Sequence, residues 1–201
     1  MKISINALRE WVPLDITARE LGDRLTMAGF ELESLTHAAP PFSAVVVAEI
    51  IEATRHPQAD KLQVCRVAFD AASRSGEGAL QIVCGAANAR VGLKTALARV
   101  GAELPGARKR KVAKLRGVES AGMLCSAKEL GLAETSEGIL ELPADAPLGQ
   151  SLREYMALDD MVLELAVTPN RGDAMSTRGI AREVAALCGV PVREPQDPMV
   201  V

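Results

Sequence analysis

The sequence predicts an α+β chain in which a closed five-stranded β-barrel is inserted into a small helix-and-strand domain split between the two ends. Three observations carry this. Residues 1–39 and 151–190 combine helical apolar periodicity with single strands. Residues 40–150 switch to short, alternating strands separated by Gly and Pro turns. Charge follows the same division, at −2 over 1–40, +2 over 41–150 and −3 over 151–201.

In the first piece, Ile5, Leu8 and Val12 fall on one helical face, and Pro13 stops that helix. Thr17 and Glu20 stand at capping-box spacing. Leu21, Leu25 and Ala28 then line a second helix, for which Gly29 is the natural C′ residue. Phe30 and Leu32 alternate with Glu31 and Glu33, as in a half-buried strand. A break at "HAAPPFS" (37–43) opens the middle region. Strands are expected over 44–53, 62–69, 80–84, 94–98, 111–116 and 138–142. One short helix is expected where Ser126 and Glu129 form a capping box and Gly131 closes it. Met123, Leu124 and Cys125 read as core. Five or six short strands with one helix suit the oligonucleotide-binding (OB) type of barrel. In the last piece, "MVLELAV" (161–167) reads as a strand. Ile180, Val184, Leu187 and Cys188 mark a helix ended by Gly189. Residues 191–201, with Pro191, Pro195 and Pro198, read as a linker toward further modules.

Composition narrows the function classes. Hydrophobic residues make up 48% and charged residues 24%, enough for an ordinary core. The net charge of −3 argues against a generic polyanion binder and leaves room only for a local patch. Aromatics, at 2%, are too few for a base-stacking platform, so any RNA contact should lean on charge and backbone shape. The N-terminus has no apolar signal region, since Arg9 and Glu10 interrupt it, and no window approaches a membrane span. The four cysteines form no CxxC and read as reduced, cytosolic and mostly buried.

"HPQADKLQVCRV" (56–67) raises the question of chemistry: a catalytic His-Asp pair, half of a metal site, or the start of a strand. With only His37 and His56 in the chain there is no ligand pair at zinc spacing. No nucleophile motif or phosphate loop is visible, so neither a metal site nor a catalytic residue is expected. The densest feature is the basic run Arg108, Lys109, Arg110, Lys111, Lys114 and Arg116. It reads either as a cationic face that neutralises phosphates or as a solvated strand and turn. In "TPNRGDAMSTRGIARE" (168–183), Asp173 or Ser176 can cap a helix. Arg171, Arg178 and Arg182 read equally as carboxylate partners across an interface or as surface arginines.

Three motifs together, "HPQADKLQVCRV", "LQIVCGAANAR" (80–90) and "KLRGVESAGMLCSAKELGL" (114–132), resemble the tRNA-binding barrel of aminoacyl-tRNA synthetases. "MKISINALREWVPLD" and "LELAVTPNRGDAMSTRGIAREVAAL" resemble the beginning of the β subunit of bacterial phenylalanine–tRNA ligase. Gln58 and Gly172 depart from that pattern, which often has Asn and Pro there. The resemblance implies a non-catalytic, cytoplasmic piece of an α2β2 heterotetramer that attaches phenylalanine to its own tRNA. Its partners would be that tRNA and the α subunit. ATP and Mg2+ would serve the full enzyme, with no cofactor in this piece. Auxiliary tRNA contacts would come from residues 108–116 with Lys61, Arg66 and Arg90. The alternative is a structural module docking the α subunit or other β modules through Arg171, Arg178 and Arg182. On this reading His56 opens a turn rather than acting as a base, and Asn88 fixes a loop through backbone bonds.

Overall fold

A computed structural model describes residues 1–106, 108–109 and 112–193, with 108–109 as backbone. In chain order the elements are β1 (Lys2–Ser4), α1 (Ile5–Trp11), α2 (Ala18–Met27), β2 (Glu31–His37), β3 (Val45–His56), β4 (Ala59–Ala68), α3 (Ala71–Arg74), β5 (Leu80–Cys84), β6 (Lys94–Arg99), β7 (Glu103–Leu104), β8 (Arg108–Lys109), β9 (Ala113–Leu115), β10 (Val118–Ser120), β11 (Gly122–Cys125), α4 (Leu152–Tyr155), β12 (Met161–Ala166) and α5 (Thr177–Cys188). A single 3-10 turn covers Gly172–Ala174. The chain divides into two compact units, 1–38 with 159–201, and 39–158.

The first unit is a three-stranded antiparallel sheet, order β1-β12-β2, with α1 and α2 packed on it and α5 packed against both helices. The helix ends follow local chemistry. Ser4 caps α1 by accepting from the Ala7 amide at 3.0 Å, and its hydroxyl also donates to the Asp160 carboxylate. Thr17 accepts from the Glu20 amide at 3.2 Å, but the Glu20 carboxylate turns to Arg24 at 2.7 Å, so the expected capping box is only half made. At the other end of α2 the Phe30 amide reaches Leu25 O at 2.9 Å and the Gly29 amide reaches Thr26 O at 3.0 Å. With Gly29 at φ +93° this is a Schellman motif, and it delivers Phe30 into the core. Ser176 caps α5, and Gly189 in the left-handed region ends it. The apolar stripes of all three helices meet in one cluster holding Leu8, Leu21, Leu25, Phe30, Leu163 and Ile180.

The second unit is built on a curled five-stranded antiparallel sheet, order β11-β6-β3-β4-β5. Strand β3 produces the curl. Its first half, Val45–Glu49, pairs with β6, and its second half pairs with β4 across a register shift between Ile50 and Glu52. The sheet's two edges are drawn together where the Ala121 amide bonds Gln81 O at 2.9 Å and the Val83 amide bonds Ser120 Oγ at 3.1 Å. Two short ribbons, β7–β8 and β9–β10, stand beside the main sheet. The inward faces fill two apolar clusters, one around Val47, Leu104, Cys125 and Leu130, the other around Ile50, Val67, Ile82 and Leu97.

Several sequence expectations change. Over 111–116 the described part is a member of the β9–β10 ribbon rather than a strand of the main sheet. Residues 138–142 form one isolated bridge, Lys94 to Leu142, because their amides go to different partners rather than along one strand: Ile139 on Asn88 Oδ1, Leu140 on Cys125 O and Leu142 on Lys94 O. The expected helix after Ser126 is a single turn: Ser126 and Glu129 make their reciprocal bonds, yet the chain leaves the helical path by Leu132. Strand β11 takes the segment expected only as core, with Leu124 and Cys125 buried and Met123 partly so. The boundary between units falls at 158/159 rather than 150/151, because Leu152 is wholly buried in the strand-rich core. Arg110 and Lys111 of the basic run, and residues 194–201 of the expected linker, lie outside the described residues.

Candidate nucleic-acid interface

The stretch that opened the question, His56 to Lys61, is the tip of the β3–β4 hairpin. Pro57 and Gln58 form its two-residue turn, and His56 pairs with Ala59. His56 is 4% exposed. Its Nδ1 accepts from the Gln58 amide at 3.1 Å, and its Nε2 lies 3.2 Å from the carbonyl of Leu115. Because Nδ1 accepts, Nε2 carries the ring proton and donates it to that carbonyl. Both ring nitrogens are spent on backbone, which accounts for a histidine with no catalytic geometry. The imidazole is a pin between two hairpins.

The second hairpin is β9–β10. Leu115 and Val118 pair across it, leaving Arg116 and Gly117 as the two-residue turn. Both have positive φ, +45° and +88°, the signature of a type I′ turn. Its base is held to β5 by Gln81 Nε2, which donates to Glu119 O at 2.8 Å, and by the Ser120–Val83 bond. Its tip is held by His56. The two tips enclose an open cleft of about 470 Å³, lined by Pro57, Gln58, Asp60, Lys61 and Arg116 among others. Lys61 and Arg116 are exposed there, and Lys114 is exposed further down the ribbon, across from Glu119. Among the described residues no carboxylate forms an ion pair with Lys61, Lys114 or Arg116.

Of the other candidate cations, Arg66, Arg90 and Arg171 are engaged within their own units. Arg66 donates from Nη2 to Gly76 O at 2.6 Å and stands 3.6 Å from Glu52. Arg90 grips Glu141 through both guanidinium nitrogens at 2.8 and 2.7 Å, and also donates to Asn88 O. The Arg90 guanidinium, helped by the Asn88 amide, draws the Glu141 carboxyl down to about 2. Asn88 fixes its loop as expected, donating to Ile139 O at 2.9 Å and accepting from the Ile139 amide at 3.0 Å. Arg108 and Lys109 lie on β8, paired with β7. Arg171 bonds Asp173 at 3.2 and 3.1 Å and Glu183 at 2.6 Å, with its guanidinium 4.6 Å over the Phe30 ring. Those contacts raise the Arg171 pKa and lower that of Asp173, chiefly through the bond between the two. Arg178 and Arg182 are on the exposed side of α5. Sequence reasoning thus missed His56 as a pin, since its partner is 59 residues away. Arg116, read there only as part of the basic run, shares the left-handed conformation with Gly117.

No group of three or more His, Cys, Asp or Glu among the described residues could hold a metal ion. No helix among them is long and apolar enough to cross a membrane.

Residues 45–151, over half of the chain, match the family model described as "Putative tRNA binding domain". The whole chain is 52% identical over 200 residues to a protein of Pseudomonas putida named phenylalanine–tRNA ligase beta subunit. It is 54% identical over 193 residues, 96% of its length, to the beta subunit so named from Methylococcus capsulatus. The chain spans 24% of the length of each of these relatives. A curled antiparallel sheet, a match over the residues that build it, and this level of identity lead to one conclusion: the chain belongs to the tRNA-binding-domain family, in the form found in phenylalanine–tRNA ligase beta subunits.

Proposed function

We propose that this chain is the tRNA-binding portion of a phenylalanine–tRNA ligase β subunit, and that its strand-rich unit is an OB-type barrel inserted into a discontinuous α+β domain. Its role is auxiliary: weakly sequence-selective contacts to phenylalanine-specific tRNA while the full cytoplasmic α2β2 assembly joins phenylalanine to that tRNA. ATP and Mg2+ serve that reaction in the full enzyme. What the chain does is bind and orient. The observation that carries the reading is the cleft rim, where exposed Lys61 and Arg116, with Lys114 beyond, stand in the part of the chain that matches the tRNA-binding family. Arg108 to Lys111 extend the same charge along the sequence. Arg66 and Arg90 act as supports that hold the β4–β5 region and the Asn88 loop. Arg171 likewise supports the first unit through Asp173 and Glu183, which leaves Arg178 and Arg182 as the exposed arginines of the docking reading.

Such a rim neutralises a few phosphates and releases their counterions. Binding of the chain to tRNA should therefore weaken steeply between about 50 and 200 mM salt, with a slope of log K on log[salt] of roughly −0.7 to −0.9 per phosphate contacted. Reversing Arg108 and Lys109 to Glu should lower affinity tenfold or more at low salt. Unchanged affinity after that reversal would move the contact away from the basic run. Equal affinity for an unrelated RNA would reduce the site to a general polyanion surface.

A further inference from the structure

Arg116 is an unexpected residue at its position. The first central position of a type I′ turn requires positive φ and favours Asn, Asp or Gly, which adopt it with least strain. Here a long, β-substituted arginine holds φ +45° while Gly117 takes the second position at +88°. Nothing local calls for arginine: among the described residues its guanidinium has neither a hydrogen bond nor an ion pair. A strained backbone that presents a charge with no internal partner points to a use outside the turn. Three further facts converge there. Lys61, from the other hairpin, lines the same cleft. His56, buried beneath, joins the two hairpin tips through bonds on both ring nitrogens. Asp60 is also on the rim, so the cleft offers two cations against one carboxylate.

We infer that the cleft between the Pro57–Gln58 and Arg116–Gly117 tips is a site for a single backbone phosphodiester of RNA, held by Lys61 and Arg116, with His56 as the positioning residue that sets the distance between them. The inference rests on the tRNA-binding reading above and names one of its contacts. Lys61 supplies a point charge, and Arg116 a planar fork suited to two phosphate oxygens. The carboxylate of Asp60 limits the site to one phosphate rather than a run of them. His56 touches no ligand; it fixes Leu115 O, and so the turn that carries Arg116.

The test is a double-mutant cycle on the 201-residue chain, read by tRNA binding across a salt series with melting temperature as the control for folding. Arg116→Asn puts a favoured residue at the turn, so the melting temperature should hold or rise. Affinity should fall about threefold to tenfold and the salt slope by about 0.7–0.9, one phosphate's share. His56→Phe keeps every cation; it should lower affinity by a similar factor, and cost little more once Arg116 is already Asn. Effects that simply add would overturn the positioning role. An unchanged slope in Arg116→Asn, with the wild type still binding, would overturn the phosphate site while leaving the tRNA reading to Arg108 and its neighbours. No salt-sensitive binding by the wild type would overturn both. A measurement free of variants completes the test. Titration of inorganic phosphate into the labelled wild-type chain should move the amides of Gln58, Lys61 and Gly117 together, and shifts confined to other residues would remove the cleft as an anion site.

Discussion

Glu141, Arg90 and Asn88 show at the residue scale how a charge can be conspicuous in sequence yet spent in the fold. Arg90 first, and Asn88 second, hold the Glu141 carboxyl at about 2, against an ordinary 4.5. A carboxyl held low in the folded chain adds stability above its unfolded value and loses it as pH falls through the folded one. The contribution of this trio should therefore be complete above about pH 4.5 and vanish by about pH 2. Melting temperatures followed from pH 6 to pH 2 should show a steeper acid loss for the wild type than for Glu141→Gln. Matching slopes would mean the pair is not formed in solution. For Arg90, contacting a phosphate would first require leaving Glu141.

At the scale of the element, the motif "TPNRGDAMSTRG" folds as a 3-10 turn capped onto α5. Gly179 stands in the first turn of that helix, where an added Cβ would come within 2.1 Å of Asp173 O and 2.8 Å of Ala174 Cα. Both are backbone atoms, which cannot swing aside. In an exposed helix, Gly→Ala ordinarily stabilises by roughly 1 kcal/mol. Here Gly179→Ala should instead destabilise by about 1–3 kcal/mol through overpacking, read by chemical denaturation. A gain in stability would show that the turn does not lie against the helix. Arg171 spans this junction, tying Asp173 to Glu183 over the Phe30 ring.

The whole molecule is free of disulfides among its four cysteines. Cys65, Cys84 and Cys125 are buried in the strand-rich unit, and burial pushes the Cys65 thiol up to about 11 and that of Cys84 upward as well. Cys188, at the end of α5, is partly exposed, with Arg24 Nη1 at 3.8 Å from its sulfur. A thiol reagent at about pH 8 should therefore find one fast-reacting cysteine in the native chain and four after denaturation. More than one fast thiol in the native chain would contradict the packing of the two strand-rich clusters. At this scale the net charge of −3 also matters: any RNA contact would have to be made by a local rim and not by the whole surface.

By itself, the sequence determined what depends on residues a few positions apart. The stripes of α1, α2 and α5, the caps at Thr17 and Ser176, the stops at Gly29 and Gly189, and the period-two strands β3 to β6 were all legible, because propensity, capping and periodicity act within a turn or two of chain. Three motifs in fixed order were likewise enough to place the chain in its family. Tertiary structure alone decided which segments joined the sheet and which charges stayed free. Strand β11 exists because β6 offers it an edge, and residues 138–142 fail as a strand because their amides are taken by a side chain and by two different segments. Arg90 is paired with a carboxylate 51 residues away, and the ribbon that carries Arg116 is tied to the β3–β4 tip by a histidine 59 residues from the carbonyl it holds. The physical reason is the same in each case. A charge or a backbone group is satisfied by whatever folding brings within about 3 Å of it, and that neighbour leaves no mark in the local pattern of the chain.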